Sequence, residues 1–131
     1  MSGSLLCDYV LGQKQAKGQI PADGQVIKSI VTTNLVNAVA EHYGCELVEV
    51  LTGFKYIGQQ ILKEEQTGKG TYMFGMEESY GCLIGTYARD KDAISATAAL
   101  CEAAAYYKEK GMTLWDAWWP CMRSTATIRT P

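Results

Sequence analysis

The stretch VIKSIVTT, residues 26–33, is β-branched and mostly apolar, which is the composition of a strand buried in a sheet. Two similar runs follow, CELVEVLTG at 45–53 and TYMFGME at 71–77. Between them, residues 35–43 and 54–66 carry apolar side chains at helical spacing. This alternation of strand and helix predicts an α/β domain.

Two further helices and a fourth strand complete the predicted fold. Residues 5–15 indicate a first helix, residues 82–87 a fourth strand, and the alanine-rich run 92–110 a long helix. We therefore predict an α/β, three-layer-like domain with a mixed, mostly parallel sheet of about four strands flanked by helices.

Individual residues give more local predictions. Asn34 is expected to cap the second helix and Gly44 to end it. The sequence TLWD at 113–116 has the form of a capping box, which predicts that another helix starts there. The inward faces are predicted to consist of Ile57, Ile61 and Leu62 on the third helix and of Ile94, Ala98, Cys101 and Ala105 on the long helix.

Composition excludes several classes of function. The 131 residues include 12 basic and 14 acidic side chains, for a net charge of −2, and they lack the concentrated basic face that nucleic acid or a membrane surface requires. No apolar run approaches the roughly 20 residues of a membrane span. Five scattered cysteines without Cys-x-x-Cys spacing favour a reducing compartment, and we expect a cytoplasmic protein. One histidine, His42, leaves no Ser/His/Asp or Cys/His set, and no metal ligands are predicted.

The ends of the predicted strands indicate where a ligand would bind. If the first three strands run parallel, Thr32–Thr33, Thr52–Gly53 and Glu77–Ser79 meet at the carboxyl edge of the sheet, outside which open α/β sheets bind ligands. The last of these belongs to GMEESYG, residues 75–81, which places two carboxylates and a hydroxyl between two glycines. We expect Gly75 and Gly81 to permit a sharp, exposed loop.

Three ligand chemistries were compared for this loop. A glycosidase needs two carboxyl groups around one bond, whereas adjacent Glu77 and Glu78 point to opposite sides of an extended chain. A phosphate cradle avoids nearby carboxylates. A sugar fits better, because a carboxylate can accept from two neighbouring hydroxyls, and Arg89 or Lys91 could meet a phosphate on that sugar. A solvated turn capped by Glu77 fits the residues equally well.

Three motifs in the same order and spacing resemble the α-D-phosphohexomutase (phosphoglucomutase/phosphomannomutase) family, in its long bacterial form. They are LTGFKYIG at 51–58, FGMEESYG at 74–81 and RDKDA at 89–93. The resemblance covers residues 5–117 and concerns the third of four domains. It implies an enzyme that interconverts hexose 1-phosphate and hexose 6-phosphate through a bisphosphate.

The resemblance also implies roles for particular residues. Glu77 and Ser79 would contact sugar hydroxyls, Thr52 and Gly53 would help distinguish the two orientations of the substrate, and Lys91 would face the transferring phosphoryl group. Glu78 would support the loop as part of the substrate-binding set. The full-length enzyme would use Mg²⁺ and glucose 1,6-bisphosphate, and this chain would bind neither the metal nor the bisphosphate as a cofactor of its own.

The chemistry that the family requires is not complete in this chain. It has no serine phosphoryl loop, no DxDxD metal loop and no phosphate-holding fourth domain, so we expect no catalytic residues here and no mutase turnover without domains I, II and IV. The alternative is a stand-alone sugar-phosphate-binding or regulatory domain without catalysis. Thr86 and Tyr87 replace the aspartate and histidine that are common in the family. Glucose and mannose substrates both stay open.

The two ends of the chain carry separate predictions. Residues 1–4, MSGS, have the composition of a cloning remnant. Residues 118–131 lose the family resemblance, and shifting their codons by one base restores a helix-like continuation. We therefore interpret them as an aberrant tail produced by a frameshift.

Overall fold

The computed structural model describes residues 2–79 and 81–118, and these form one four-stranded sheet between two layers of helices. The element order is α1 (Ser2–Ala16), β1 (Gly24–Ser29), α2 (Leu35–His42), β2 (Glu46–Val50), α3 (Phe54–Thr67), β3 (Thr71–Met76), β4 (Cys82–Leu83) and α4 (Ala93–Glu109). A further helical turn covers residues 114–118. None of the described helices combines the length and apolar character needed to cross a bilayer.

The sheet has the order β2-β1-β3-β4, with β1 parallel to both β2 and β3 and with β4 antiparallel to β3. The predicted fold class, a mixed and mostly parallel sheet flanked by helices, is confirmed. The register between β1 and β3 shifts at Met73, whose carbonyl accepts a hydrogen bond from Lys14 Nζ at 3.3 Å. An extra residue of this kind bends the strand and increases its twist.

The core has one part on each face of the sheet, because successive strand residues point to opposite sides. Val26 packs with α1, α2 and α4, whereas its neighbour Ile27 packs with Phe54, Ile57 and Ile61 of α3. The helices thus form two layers, with α1, α2 and α4 on one face and α3 on the other.

Strand β1 is shorter at its carboxyl end than the sequence predicted. It ends at Ser29 rather than at Thr33, and Ile30 and Val31 are exposed. The chain turns because the backbone N–H of Thr32 donates to the Ser29 carbonyl at 3.1 Å. The predicted fourth strand over 82–87 is likewise reduced to Cys82–Leu83.

The helix ends agree with the sequence at most positions. Gly44, at φ 71°, follows α2, and Thr113 and Asp116 form the predicted reciprocal capping bonds at 2.9–3.1 Å. Asn34 does precede α2, but its side chain makes no capping bond, because its Oδ1 accepts from Lys28 Nζ at 3.4 Å instead.

The predicted inward face of α4 is wrong. Ala98, Cys101 and Ala105 are exposed, as is Ile94 at 84%. The face that packs is turned around the axis, and Tyr106 and Tyr107 stack edge-on against Tyr9 of α1. A helix with alanine on most sides has no strongly apolar face of its own. These large aromatic rings therefore decide which side of α4 packs against the rest of the domain.

Both ends of the described chain bear on the predictions for its termini. Helix α1 begins at Ser2 rather than at Leu5, and Ser4 is fully buried in it. The origin of residues 1–4 as a cloning remnant stays a prediction. Apart from Trp118, the tail lies outside the described residues, and its origin in a frameshift also stays a prediction.

The inner stripe of α3 contains Ile57 and Ile61 as predicted, but Leu62 is 45% exposed and Glu64 is buried instead. The Oε1 atom of Glu64 has no hydrogen-bond partner. Burial raises the pKa of Glu64 to about 7, and the neighbouring Asp23, Glu46 and Glu65 carboxylates also raise it, whereas the bond from Gln60 lowers it. A buried charge without a cation beside it is costly.

Because of this carboxyl group, we expect the stability of the fold to decrease as pH rises. Between the ordinary pKa of 4.5 and the folded pKa of about 7, the folded chain binds more protons than the unfolded chain. The free energy of unfolding therefore decreases as pH rises through that window and stays constant above it. Glu64→Gln should therefore raise the free energy of unfolding by about 2 kcal/mol at pH 8 and by much less at pH 5, measured by urea denaturation.

Glu41→Gln is the matched control, since Glu41 is an exposed acid on α2. Its effect should stay within about 0.5 kcal/mol at both pH values. An equal effect of Glu64→Gln at pH 5 and pH 8 would contradict the assignment of the penalty to this carboxylate.

Candidate functional site

The carboxyl ends of β1, β2 and β3 lie at one edge of the sheet, since all three strands run parallel. The segment that follows β3 carries Glu77, Glu78 and Ser79, and the turn after β1 carries Thr32 and Thr33. A cavity of about 590 Å³ opens there, and both threonines and both glutamates are among the residues that line it. The rest of its lining is mostly apolar and consists of Gly3, Leu6, Met76, Cys82, Ala93, Ala96, Thr97 and Leu100.

Glu77 is held in place from several sides and is only 8% exposed. Its backbone N–H donates to the Gly81 carbonyl at 2.9 Å, and its Oε1 lies 3.7 Å from Lys91 Nζ. The side chain crosses directly over Gly81, where a Cβ would come within 2.5 Å of Oε1. The geometry thus presents one ordered carboxylate that lines the cavity, with the Lys91 ammonium between it and Asp90 Oδ1, which is 3.4 Å away.

The two glycines of the motif serve a purpose different from the one predicted. The chain does reverse sharply between β3 and β4, but Glu77 is buried, and neither glycine has a positive φ that would require it to be glycine. Gly75 lies within β3, where a Cβ would be 2.4 Å from the Tyr72 hydroxyl. Both positions lack a side chain because another side chain occupies the space.

Glu78 faces in a different direction from Glu77. Its Oε2 accepts a hydrogen bond from Ser29 Oγ at 2.6 Å, and that bond is the main reason why the pKa of Glu78 lies below its ordinary value. Ser29 Oγ in turn lies 2.8 Å from Thr32 Oγ1. This carboxylate ties the loop to β1, while Ser79 beside it is exposed.

Thr52 and Gly53 immediately precede Phe54, and Phe54 is the residue that contacts Lys91. Phe54 starts α3, and Lys91 Nζ lies 5.9 Å from the centre of its ring, within the range of a cation–π contact. Lys91, 51% exposed, therefore stands between Glu77 and the beginning of α3. Gly53 needs to be glycine, because its φ of 119° is strained for any other residue.

The other basic residues near the loop have different partners. Arg89 forms an ion pair with Glu65 on α3, and its backbone carbonyl leaves no room for a Cβ at Gly58. Lys55 lies over the Tyr56 ring at 5.0 Å. Of the two cations predicted to meet a phosphate, the structure brings only Lys91 into contact with Glu77.

Two residues at this edge of the sheet were not predicted from the sequence. Lys28 and Ser29 are fully buried at the end of β1, and the signal for them was a lysine and a serine inside an otherwise apolar strand. Metal ligands were not predicted, and among residues 2–79 and 81–118 no group of three His, Cys, Asp or Glu is arranged to hold a metal. Glu77 and Glu78 face different partners, so the pair does not fit Mg²⁺.

Comparison with known proteins shows the family to which the chain belongs. The family model for phosphoglucomutase/phosphomannomutase, alpha/beta/alpha domain III, matches residues 2–121. The chain belongs to this family. The resemblance seen in the three motifs is thereby confirmed, and the matched region corresponds to domain III.

Individual relatives show the same relationship. A phosphoglucomutase of Staphylococcus epidermidis is 40% identical over 116 residues, which cover 87% of this chain and 20% of the relative. A phosphomannomutase of Mycoplasma genitalium is 35% identical over 116 residues, covering 88% of this chain and 20% of the relative. The chain thus spans about one fifth of the length of these relatives.

A solved structure shows the same fold. It is the crystal structure of a protein described as a phosphomannomutase from Thermus thermophilus, and it matches with a TM-score of 0.72 over 94% of this chain and 25% of that one. Since the two are 23% identical in sequence, this likeness concerns the fold alone.

Because the Glu77 side chain lies against Gly81, we expect any side chain at position 81 to disturb it. Gly81→Ala should displace the Glu77 side chain and lower the free energy of unfolding by about 1–3 kcal/mol, the usual cost of overpacking. Chemical denaturation gives the stability, and the NMR signals of Glu77 and Lys91 report the displacement.

Gly85→Ala is the matched control. A Cβ at Gly85 would meet only the ring of Tyr87, at 3.1 Å, and a shift of a few tenths of an ångström by this 62% exposed ring, whose hydroxyl bonds to Asp92 at 3.0 Å, would relieve the contact. Its effect should stay below about 1 kcal/mol. Unchanged Glu77 signals in Gly81→Ala would contradict the proposed packing.

Proposed function

We propose that this chain is the sugar-recognition domain of a phosphohexomutase that interconverts hexose 1-phosphate and hexose 6-phosphate through a bisphosphate intermediate. The observation that supports it best is the Glu77 carboxylate, which is ordered, 8% exposed, 3.7 Å from Lys91 and part of the lining of a cavity. Membership of the family agrees with it. The catalytic groups of such an enzyme would lie outside this chain.

The proposed contacts follow from the chemistry of the polar groups at this edge of the sheet. The Glu77 carboxylate would accept hydrogen bonds from two adjacent sugar hydroxyls, and the exposed Ser79 hydroxyl would meet a third. Lys91 would face a phosphoryl oxygen, since its ammonium is half-exposed beside Glu77. Thr52 and Gly53, next to Phe54, would touch the other end of the sugar. Hydrogen bonds to a charged group contribute roughly 1.5–3 kcal/mol each.

The proposal extends to the whole protein. Domain I would supply a phosphoserine, domain II a loop that holds Mg²⁺, and domain IV a site for the substrate phosphate, with glucose 1,6-bisphosphate as the intermediate. Mg²⁺ would neutralise charge on the transferring group. We place this enzyme in the cytoplasm. For a stand-alone binding or regulatory domain, the reading frame would lack upstream serine and metal loops.

Removing the charge of Glu77 tests the proposed contacts. Glu77→Gln should weaken the binding of glucose 1,6-bisphosphate to the 131-residue chain by about tenfold or more, because a carboxylate accepting two hydroxyls becomes an amide with one acceptor oxygen. Isothermal titration calorimetry gives the dissociation constant, and circular dichroism checks that the variant is folded.

Glu65→Gln provides the matched control. Glu65 is a half-exposed acid that pairs with Arg89, eleven residues beyond the start of α3 and so about 16 Å along the helix from the site. Its affinity should equal that of the parent chain. Equal affinities in Glu77→Gln and the parent would refute the assigned role of Glu77.

A further inference from the structure

Lys28 is a fully buried lysine near the carboxyl end of β1. Its Nζ lies 3.0 Å from the Thr32 carbonyl oxygen, 3.5 Å from that of Thr33 and 3.4 Å from Asn34 Oδ1. Glu49 Oε1, on the neighbouring strand β2, is 3.7 Å away. Burial lowers the pKa of Lys28, and the Glu49 carboxylate opposes that shift.

An apolar side chain would fill this space at lower cost, because burying an ammonium is expensive even when it is hydrogen bonded. What the ammonium provides is a set of donors for the turn that follows β1. That turn carries Thr32 and Thr33, which line the cavity. Lys28 itself is too deep to touch a ligand there.

The contact continues from Thr32 to the loop after β3. Ser29 has a single hydroxyl hydrogen and donates it to the Glu78 carboxylate, which at neutral pH can only accept. The 2.8 Å contact between Thr32 Oγ1 and Ser29 Oγ must then have Thr32 as its donor. A directed chain therefore runs from Lys28 through Thr32 and Ser29 to Glu78, and every link is buried or half-buried.

We propose that Lys28 is a positioning residue, which acts through Thr32 and Ser29 to hold Glu78 against β1 and thereby fixes Glu77 and Ser79 where they meet a sugar phosphate. The ligand part of this inference rests on the proposed function. With Glu78 held toward β1, the adjacent Glu77 is directed toward Lys91 and Gly81. Without that anchor, the described part of the loop would keep the bond from Glu77 N–H to the Gly81 carbonyl and the ion pair between Glu77 and Lys91.

Three variants of the 131-residue chain test the inference. Lys28→Met removes the ammonium and keeps the length of the side chain, whereas Thr32→Val removes the hydroxyl link and keeps its shape. Lys14→Met is the control. Lys14 is a half-buried lysine, and its Nζ donates to the Met73 carbonyl, where the register between β1 and β3 shifts. The measurements are the pKa of the Glu78 carboxyl by ¹³C NMR titration and the dissociation constant of glucose 1,6-bisphosphate.

Lys28→Met and Thr32→Val should each raise the pKa of Glu78, because Ser29 is then less firmly held as its donor. Each should also weaken binding of the bisphosphate by about three- to tenfold. In a Glu78→Ala background, Lys28→Met should weaken binding no further, because the oxygen that accepts the bond from Ser29 is missing. Lys14→Met should leave both quantities unchanged.

An unchanged pKa of Glu78 in both Lys28→Met and Thr32→Val would overturn the inference. So would a loss of affinity from Lys28→Met that is as large in the Glu78→Ala background as in the parent chain. If Lys28→Met does not fold, Thr32→Val carries the same test. A parent chain that fails to bind the bisphosphate while the pKa of Glu78 still responds would refute the proposed function and support the positioning of Glu78 by Lys28.

Discussion

The parallel pairing of β1 with both of its neighbours is the constraint on which the rest of the structure depends. Parallel strands end at the same edge, so the segments that follow them must share a small space. At this edge the shared space is polar: Lys28 and Ser29 are buried within β1 and contact Glu49 on one neighbouring strand and Glu78 after the other. Their partners determine where the turns run.

The two adjacent carboxylates after β3 have separate tasks because of that arrangement. Glu78 binds to β1 and is a structural anchor, whereas Glu77 contacts Lys91 and lines the cavity. Gly81 gives Glu77 room to lie flat across the loop. These side chains are thus ordered by contacts within the domain, which is the condition under which a binding site loses little entropy on binding.

The sequence predicted those features that depend on strong local patterns. The strands around Val26, Leu47 and Phe74, the end of α2 at Gly44 and the capping box at Thr113 were all readable, because periodicity and cap chemistry are local properties. The end of β1 was not. Ile30 and Val31 favour a strand on their own, and the turn there depends on contacts with a buried lysine that no local pattern announces. Likewise, alanine on most sides of α4 gave several equivalent faces, and the choice depends on Tyr106 and Tyr107 meeting Tyr9 at the other end of the sequence. At the candidate site, the family resemblance implied separate roles for Glu77 and Glu78, whereas their partners, Lys91 and Ser29, required the geometry.

The most direct test of the account is a two-dimensional NMR titration of the chain with glucose 1,6-bisphosphate, with inorganic phosphate as the non-sugar control. The account predicts shifts of the amide signals of Thr52, Gly53, Glu77, Ser79 and Lys91 that the sugar phosphate causes and the control does not. Absence of shifts at millimolar ligand, or shifts centred on the opposite edge of the sheet, would contradict the claim that this edge is a preformed sugar-phosphate site.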